Sequence, residues 1–233
     1  MLELPGVAEG VADSRGAVDA LLSNRALRRR SADVSAESSL RGAWASAWLA
    51  GVETELDDVR NGIGLDEPVL QGALRANSAI GALADTWVRA PRQALARLHA
   101  LAAADLADAD RLGRPVGDTR RLDTLVDVLG ITSAPAVIVA GVVHAELLSL
   151  DLFPPMSGIV ARVATRLTLV ERGLDPKSLV VVEAGHRELK AEYDAALVAY
   201  EHGDVARWLR HFADAVVAGA REARAICEAI VRG

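Results

Sequence analysis

The residues best able to do chemistry stand together at 144–166, HAELLSLDLFPPMSGIVARVATR. His144 and Glu146 are the ionisable groups of an apolar run that ends at Asp151. A Phe-Pro-Pro turn follows, and Ser157-Gly158 opens a second run that carries Arg162 and Arg166. A helix, a tight turn and a fresh helix start form a geometry that binds anions, because unpaired amides there carry partial positive charge. Ser157 is expected to cap that helix near Gly158, with Arg162 one turn inside. An anion or nucleotide would then meet Ser157, Gly158 and Arg162. The plainer alternative is that Arg162 pairs with an acidic neighbour such as Glu53 or Glu146 and that Met156 fills the space. His144 and Glu146, lying in the most apolar stretch, are expected to find hydrogen-bond partners within the core.

The elements that must position these groups are helical. Half of the 233 residues are hydrophobic (51%) but only 3% are aromatic. The core is therefore built from Ala, Leu and Val, which favours a helical bundle over a sheet. Periodicity places helices within 2–24 and from Asp33 or Ser35, as N-cap, to Leu49, stopped by Gly51. Asp66 caps a helix over about 68–88, and Pro91 opens another to about Ala109. The polar stretch ADRLGRPVGD is a break. Further helices are expected over 119–129, 135–150 (the most buried), 158–172, 185–200 and 204–231, with LVVV at 179–182 as an extended connection. Residues 1–110 read as an N-terminal helical extension and 111–233 as the core, together one compact unit.

Charge and cysteine content narrow the function classes. The net charge is −6 and the isoelectric point is near 5.4, which excludes a general nucleic-acid or anionic-membrane binder. Arg28-Arg29-Arg30 is too short for a nucleic-acid footprint and reads as a solvated face. Cys227 is the sole cysteine, so no intrachain disulfide forms and a cytoplasmic location is expected. The N-terminus lacks a signal-peptide pattern, and no apolar run is long enough to cross a bilayer. The five histidines show no zinc spacing, so no metal and no cofactor are expected. Trp44, Trp48, Trp87 and Trp208 fall at helical positions suited to core or dimer contacts.

The 144–166 segment resembles the signature of the Fic (Fido-fold) family, HPF-x-D/E-GNGR-xx-R, which lies in a loop between two core helices. Laid on without gaps, it spans Asp151–Arg162, and His144 stands seven residues upstream of the first position, where family members often carry a histidine. Phe153, Gly158 and Arg162 match. The later LVERGLDP and AYEHGDVARWLRHFADAV segments are similar to the family pattern, so the resemblance covers roughly 112–220. It implies an all-α Fic-like bundle. The GRPVG loop is in the position of the family's target-holding flap, although as bare sequence it is a turn.

The departures carry the functional expectation. The family's catalytic histidine is Asp151 here, a far weaker base at neutral pH. Its acidic metal ligand is Pro155, its first glycine Met156, its asparagine Ser157 and its first arginine Ile159. The family's inhibitory-helix pattern, S/T-xxx-E-G/N, resembles Ser46 to Gly51 within 35–51, with Ala50 in place of the glutamate; the same residues also read as a plain helix end. The resemblance therefore implies no catalytic residue for AMP transfer and a binding or regulatory module instead. The alternatives are a nucleotide- or phosphate-binding protein, or altered chemistry using Asp151 or Glu146. A protein partner, a second copy as homodimer, and an anion or nucleotide are the open classes of partner. Far-UV circular dichroism should show a helix-dominated spectrum; a strand-dominated one would remove the fold assignment.

Overall fold

The computed structural model describes residues 1–232; Gly233, the last residue of the expected 111–233 core, lies outside them. Every regular element among the described residues is helical, in agreement with the all-α expectation. In order these are α1 (Val7–Leu22), α2 (Leu27–Leu49), α3 (Leu56–Arg60), α4 (Pro68–Ser78), α5 (Ile80–Arg89) and α6 (Pro91–Ala102). Then follow α7 (Arg120–Ile131), α8 (Ala136–Leu150), α9 (Ser157–Glu171), α10 (Val182–Glu188), α11 (Lys190–Glu201) and α12 (Val205–Arg232). None is long and apolar enough to cross a membrane.

Two apolar clusters meet across the α8–α9 pair. One joins α1 and α10–α12 to the start of α8, around Leu21, Trp208 and Phe212; the other joins α4–α7 to α9, around Leu70, Leu95, Leu98 and Leu167. The first and last helices thus pack together, and α4–α6 share a core with α9. With so few aromatics, the close approaches rest on small residues. A Cβ on Gly185 would lie 2.1 Å from the Ala215 carbonyl oxygen, and one on Gly219 would lie 2.6 Å from that of Val181. α10, the extended 179–181 segment and α12 can touch at backbone distance only because these two positions lack side chains.

Several boundaries differ from the sequence reading, each for a local reason. α2 begins at Leu27, and Arg30 leaves the helical region at φ −121°, so the basic run lies inside a kinked first turn. Glu67, not Asp66, caps α4 by accepting the Leu70 amide at 2.8 Å. The helix expected over 68–88 breaks at Ala79, just after Asn77 and Ser78 hydrogen-bond back to the carbonyls of Ala73 and Arg75. Such back-bonding bends helices. The expected 185–200 helix likewise divides at Leu189, and the turn 56–60 is helical. α9, with twelve of fifteen residues buried, is more enclosed than α8, with nine of fifteen. Trp44 and Trp48 are half-buried and flank the guanidinium of Arg187 at 4.3 and 4.8 Å, a cation–π sandwich joining α2 to α10.

Glycine substitutions test this close packing. Gly185→Ala should destabilise the fold by roughly 1–3 kcal/mol through overpacking. Gly16→Ala, in α1 with open space around it, should stabilise it by about 0.5–1 kcal/mol. Urea midpoints for the two variants should move in opposite directions; a shared direction would contradict the backbone contact.

Candidate functional site

The 151–156 turn is assembled by short-range bonds that the sequence hides. α8 ends at Asp151, which takes a left-handed conformation (φ 42°, ψ 44°) and is exposed. A short polar side chain tolerates that backbone better than a branched one. Phe153 is buried against the ring of His99, with centroids 5.4 Å apart. The Met156 amide donates to the Phe153 carbonyl at 2.9 Å, closing the turn. The Val116 amide, in the GRPVG loop, donates to the Leu152 carbonyl at 2.9 Å. His99 Nδ1 accepts the Gly113 amide at 3.1 Å, so that loop is tied once to the turn and once to the α6 histidine that packs on Phe153.

Ser157 does not cap α9 as expected. It is the first helical residue, and its hydroxyl turns back to accept the Phe153 amide at 3.0 Å, in the turn that brings Phe153 into the core. Met156 stands at the N-cap, and no side chain caps the helix. The first-turn amides therefore keep their partial positive charge.

Arg162 is buried, and its partner is neither of the acidic residues suggested by sequence. Its Nε donates to the Ser46 hydroxyl at 2.7 Å and its Nη2 to the Ser46 carbonyl at 3.0 Å. The guanidinium lies flat on the start of α9, because a Cβ on Gly158 would come within 3.1 Å of Nη1. The structure thus brings Ser46 and Ala50 of α2 to Gly158 and Arg162 of α9. A cavity of about 390 Å³ opens there, lined by Ala50, Met156, Gly158, Arg162, Tyr193 and Asp194 among apolar side chains. Met156 forms part of the wall without filling the space. Gly51 follows at φ +94° as the left-handed residue ending α2.

The other sequence candidates separate. Asp151 is not among the lining residues. Glu146 points away from His144 and accepts from Arg121 at 2.8 and 3.0 Å and from the Tyr200 hydroxyl. His144 does find an internal partner: its Nε2 and the Tyr193 hydroxyl oxygen are 2.9 Å apart in a hydrogen bond. Behind it His186 Nδ1 and His211 Nε2 are bonded at 3.0 Å, all within rings contributed by Tyr193, Trp208 and Phe212. Tyr193, His186 and His211 were not singled out from sequence, for they share no spacing motif with His144. Among the described residues no group of three or more potential ligands is placed to hold a metal.

Burial dominates the electrostatics here. It holds His144 and His186 well below the usual histidine pKa, and His211 at about 4. It also raises the Tyr193 phenol, which the neighbouring Arg162 opposes. The cavity therefore brings together a cation, the Asp194 side chain and a neutral phenol backed by neutral imidazoles.

Solved structures share this fold. A Fic family protein from Desulfovibrio desulfuricans G20 superposes with a TM-score of 0.78 at 20% identity, over 95% of this chain and 74% of that one. Fic-1 from C. elegans superposes at 0.74 and 17% identity, over 96% of this chain and 73% of that one. A variant of the same worm protein gives 0.71 at 19%, over 94% and 71%. The chain has the Fic fold. No family model and no curated protein matches it by sequence.

The neutral imidazoles predict a pH dependence with a definite sign. Their folded pKa values lie below the unfolded value near 6.5, so below that pH the unfolded chain binds more protons. Stability present above pH 6.5 should fall by about 1.4 kcal/mol per pH unit for each such histidine as pH drops toward 5. Burial raises the pKa of Asp175 and Asp214, which acts in the opposite sense nearer the carboxylate range. Urea unfolding of a His211→Gln variant should show a shallower slope between pH 7 and 5; an unchanged slope would mean His211 is not held neutral.

Proposed function

We propose that this chain is a catalytically degenerate Fic-fold protein, a binding or regulatory module that does not transfer AMP. The observation carrying the reading is the cavity at the start of α9. It retains Gly158, Arg162 and an uncapped helix N-terminus, while the groups at the motif positions for base and metal ligand are an exposed Asp151 and Pro155. Arg162 has given two donors to Ser46. A phosphate or nucleotide anion would be met by the first amides of α9 and the remaining Nη1 donors, with no imidazole among the lining residues and Asp194 as the acidic group there. His144 lies beside the cavity, but its Nε2 is already bonded to Tyr193. The reading using Asp151 or Glu146 for altered chemistry draws no support from their positions, since neither lines the cavity.

Incubation with α-phosphate-labelled ATP and magnesium should leave the protein and a host lysate unlabelled. Labelling that vanishes in Asp151→Ala would overturn the degenerate reading. In thermal shift, ATP, ADP, AMP and GTP should separate an anion-binding module, whose stabilisation is lost in Arg162→Ala, from a module that binds only protein and stays flat across the panel.

A further inference from the structure

A second cavity, of about 710 Å³, opens between α2, the α4–α5 junction, the last turns of α9 and the 173–178 loop. Ala32, Ala36, Ile80, Ala84 and Val170 supply its apolar wall. Its volume falls in the range of roughly 300–1,000 Å³ typical of small-molecule sites. The polar lining comes from Arg166, Lys177 and Ser178, from Ser35 and Ser39 of α2 and from Asn77 and Ser78 at the end of α4, and it contains no carboxylate. On a chain of net charge −6, that is a locally cationic groove.

Arg166 is 2% exposed and lines this cavity. Its Nε donates to the Ser178 hydroxyl at 3.0 Å and its Nη2 to the Ser178 carbonyl at 2.6 Å. Its Nη1 donates to Asn77 Oδ1 at 3.1 Å and to the Ser38 carbonyl at 3.4 Å. A guanidinium has five N–H donors, so one on Nη2 has no acceptor. The Glu183 carboxylate stands behind it at 3.7 Å, too far for a hydrogen bond. Lys177 makes no ion pair among the described residues, so the lining itself presents two cations and no carboxylate, while Glu183 and Asp175 stand buried behind Arg166.

The loop presenting these groups is firmly fixed. The buried Asp175 carboxylate accepts the amides of Leu179 and Val180 at 2.9 and 2.8 Å. Ser178 is held at φ 50°, a conformation that non-glycine residues rarely adopt. A buried guanidinium with a spare donor, a free ammonium, serine hydroxyls and an apolar wall suit an apolar body bearing one negative charge. One spare guanidinium donor and one ammonium are two donor groups for the two oxygens of a carboxylate, and the buried Glu183 and Asp175 weigh against a dianion.

We propose that this groove binds a small monocarboxylate with an apolar body, at a site separate from the start of α9. The probe is octanoate, titrated into ¹⁵N-labelled protein, with octanol and octyl phosphate as head-group controls. Octanoate should shift amides of 32–39, 78–84 and 177–178, with octanol at least tenfold weaker and octyl phosphate no tighter. Lys177→Ala should weaken octanoate about tenfold, and Ala36→Trp, an exposed position, should abolish binding with the rest of the spectrum retained. Equal binding by octanol, tighter binding by octyl phosphate, or full binding to Ala36→Trp would overturn the proposal. Shifts of these amides on raising protein concentration alone, without saturable octanoate binding, would overturn it in favour of self-association. ATP titrated in the same way should leave these amides unmoved, so failure at the α9 site and failure here are read separately.

Discussion

Two permanent charges inside the most enclosed helix govern the arrangement of everything around it. Arg162 and Arg166 stand one turn apart on α9, at 4% and 2% exposure, among Ile, Val, Ala and Leu. Burying a guanidinium costs several kcal/mol unless its donors find acceptors. α2 supplies much of what is needed. Ser38, Gly42 and Ser46 recur every four residues, so they share one face of α2, and that face meets α9. Ser46 takes two donors of Arg162, the Ser38 carbonyl takes one of Arg166, and a Cβ on Gly42 would lie 2.5 Å from Arg166 Nη1. Sliding α2 by one residue would strand Arg162, take one acceptor from Arg166 and move Gly42 from under its Nη1, so the charges help to set the register of the helix against the core.

Much of this was legible from residue types. An Ala- and Leu-rich chain with 3% aromatics had to be helical, and Gly, Pro and capping residues marked most of the breaks. The apolar run, the turn and the second helix with Arg162 followed from periodicity, and the Fic resemblance rested on the same segment. That the 35–51 segment meets this turn could be expected only through the resemblance, since Ser46 and Arg162 are 116 residues apart in sequence.

What remained illegible depended on rotamers and long-range partners. A serine before a helix reads as a cap, yet Ser157 spends its hydroxyl on Phe153, because closing the turn and capping the helix compete for the same oxygen. His144 and Glu146 are two residues apart, so they leave the helix on different sides: His144 enters the aromatic cluster, and Glu146 reaches Arg121 at the rim. His186 and His211 belong to separate helices, and nothing in their spacing announces the hydrogen bond between them. Arg166 did leave a signal, as a second arginine at four-residue spacing on an apolar helix, but its partners come from α2, from α4 and from the loop after α9, and no spacing joins the three.

α2 consequently works on two sides. The Ser38–Gly42–Ser46 face is committed to the arginines, whereas Ala32, Ser35, Ala36 and Ser39 face the second cavity and leave it open. Each cavity is bounded by one arginine of α9 and one side of α2, and the two arginines differ in what they have left to offer. Arg162 keeps its Nη1 over Gly158, next to the uncapped amides of the helix start, where the macrodipole adds to its charge. Arg166 lies one turn further along, beyond the reach of that dipole, and its charge is partly balanced by Glu183. The first cavity thus sets Arg162 and the helix start against the Asp194 carboxylate, and the second sets Arg166 and Lys177 against apolar walls. The division follows from where two identical side chains sit along one helix.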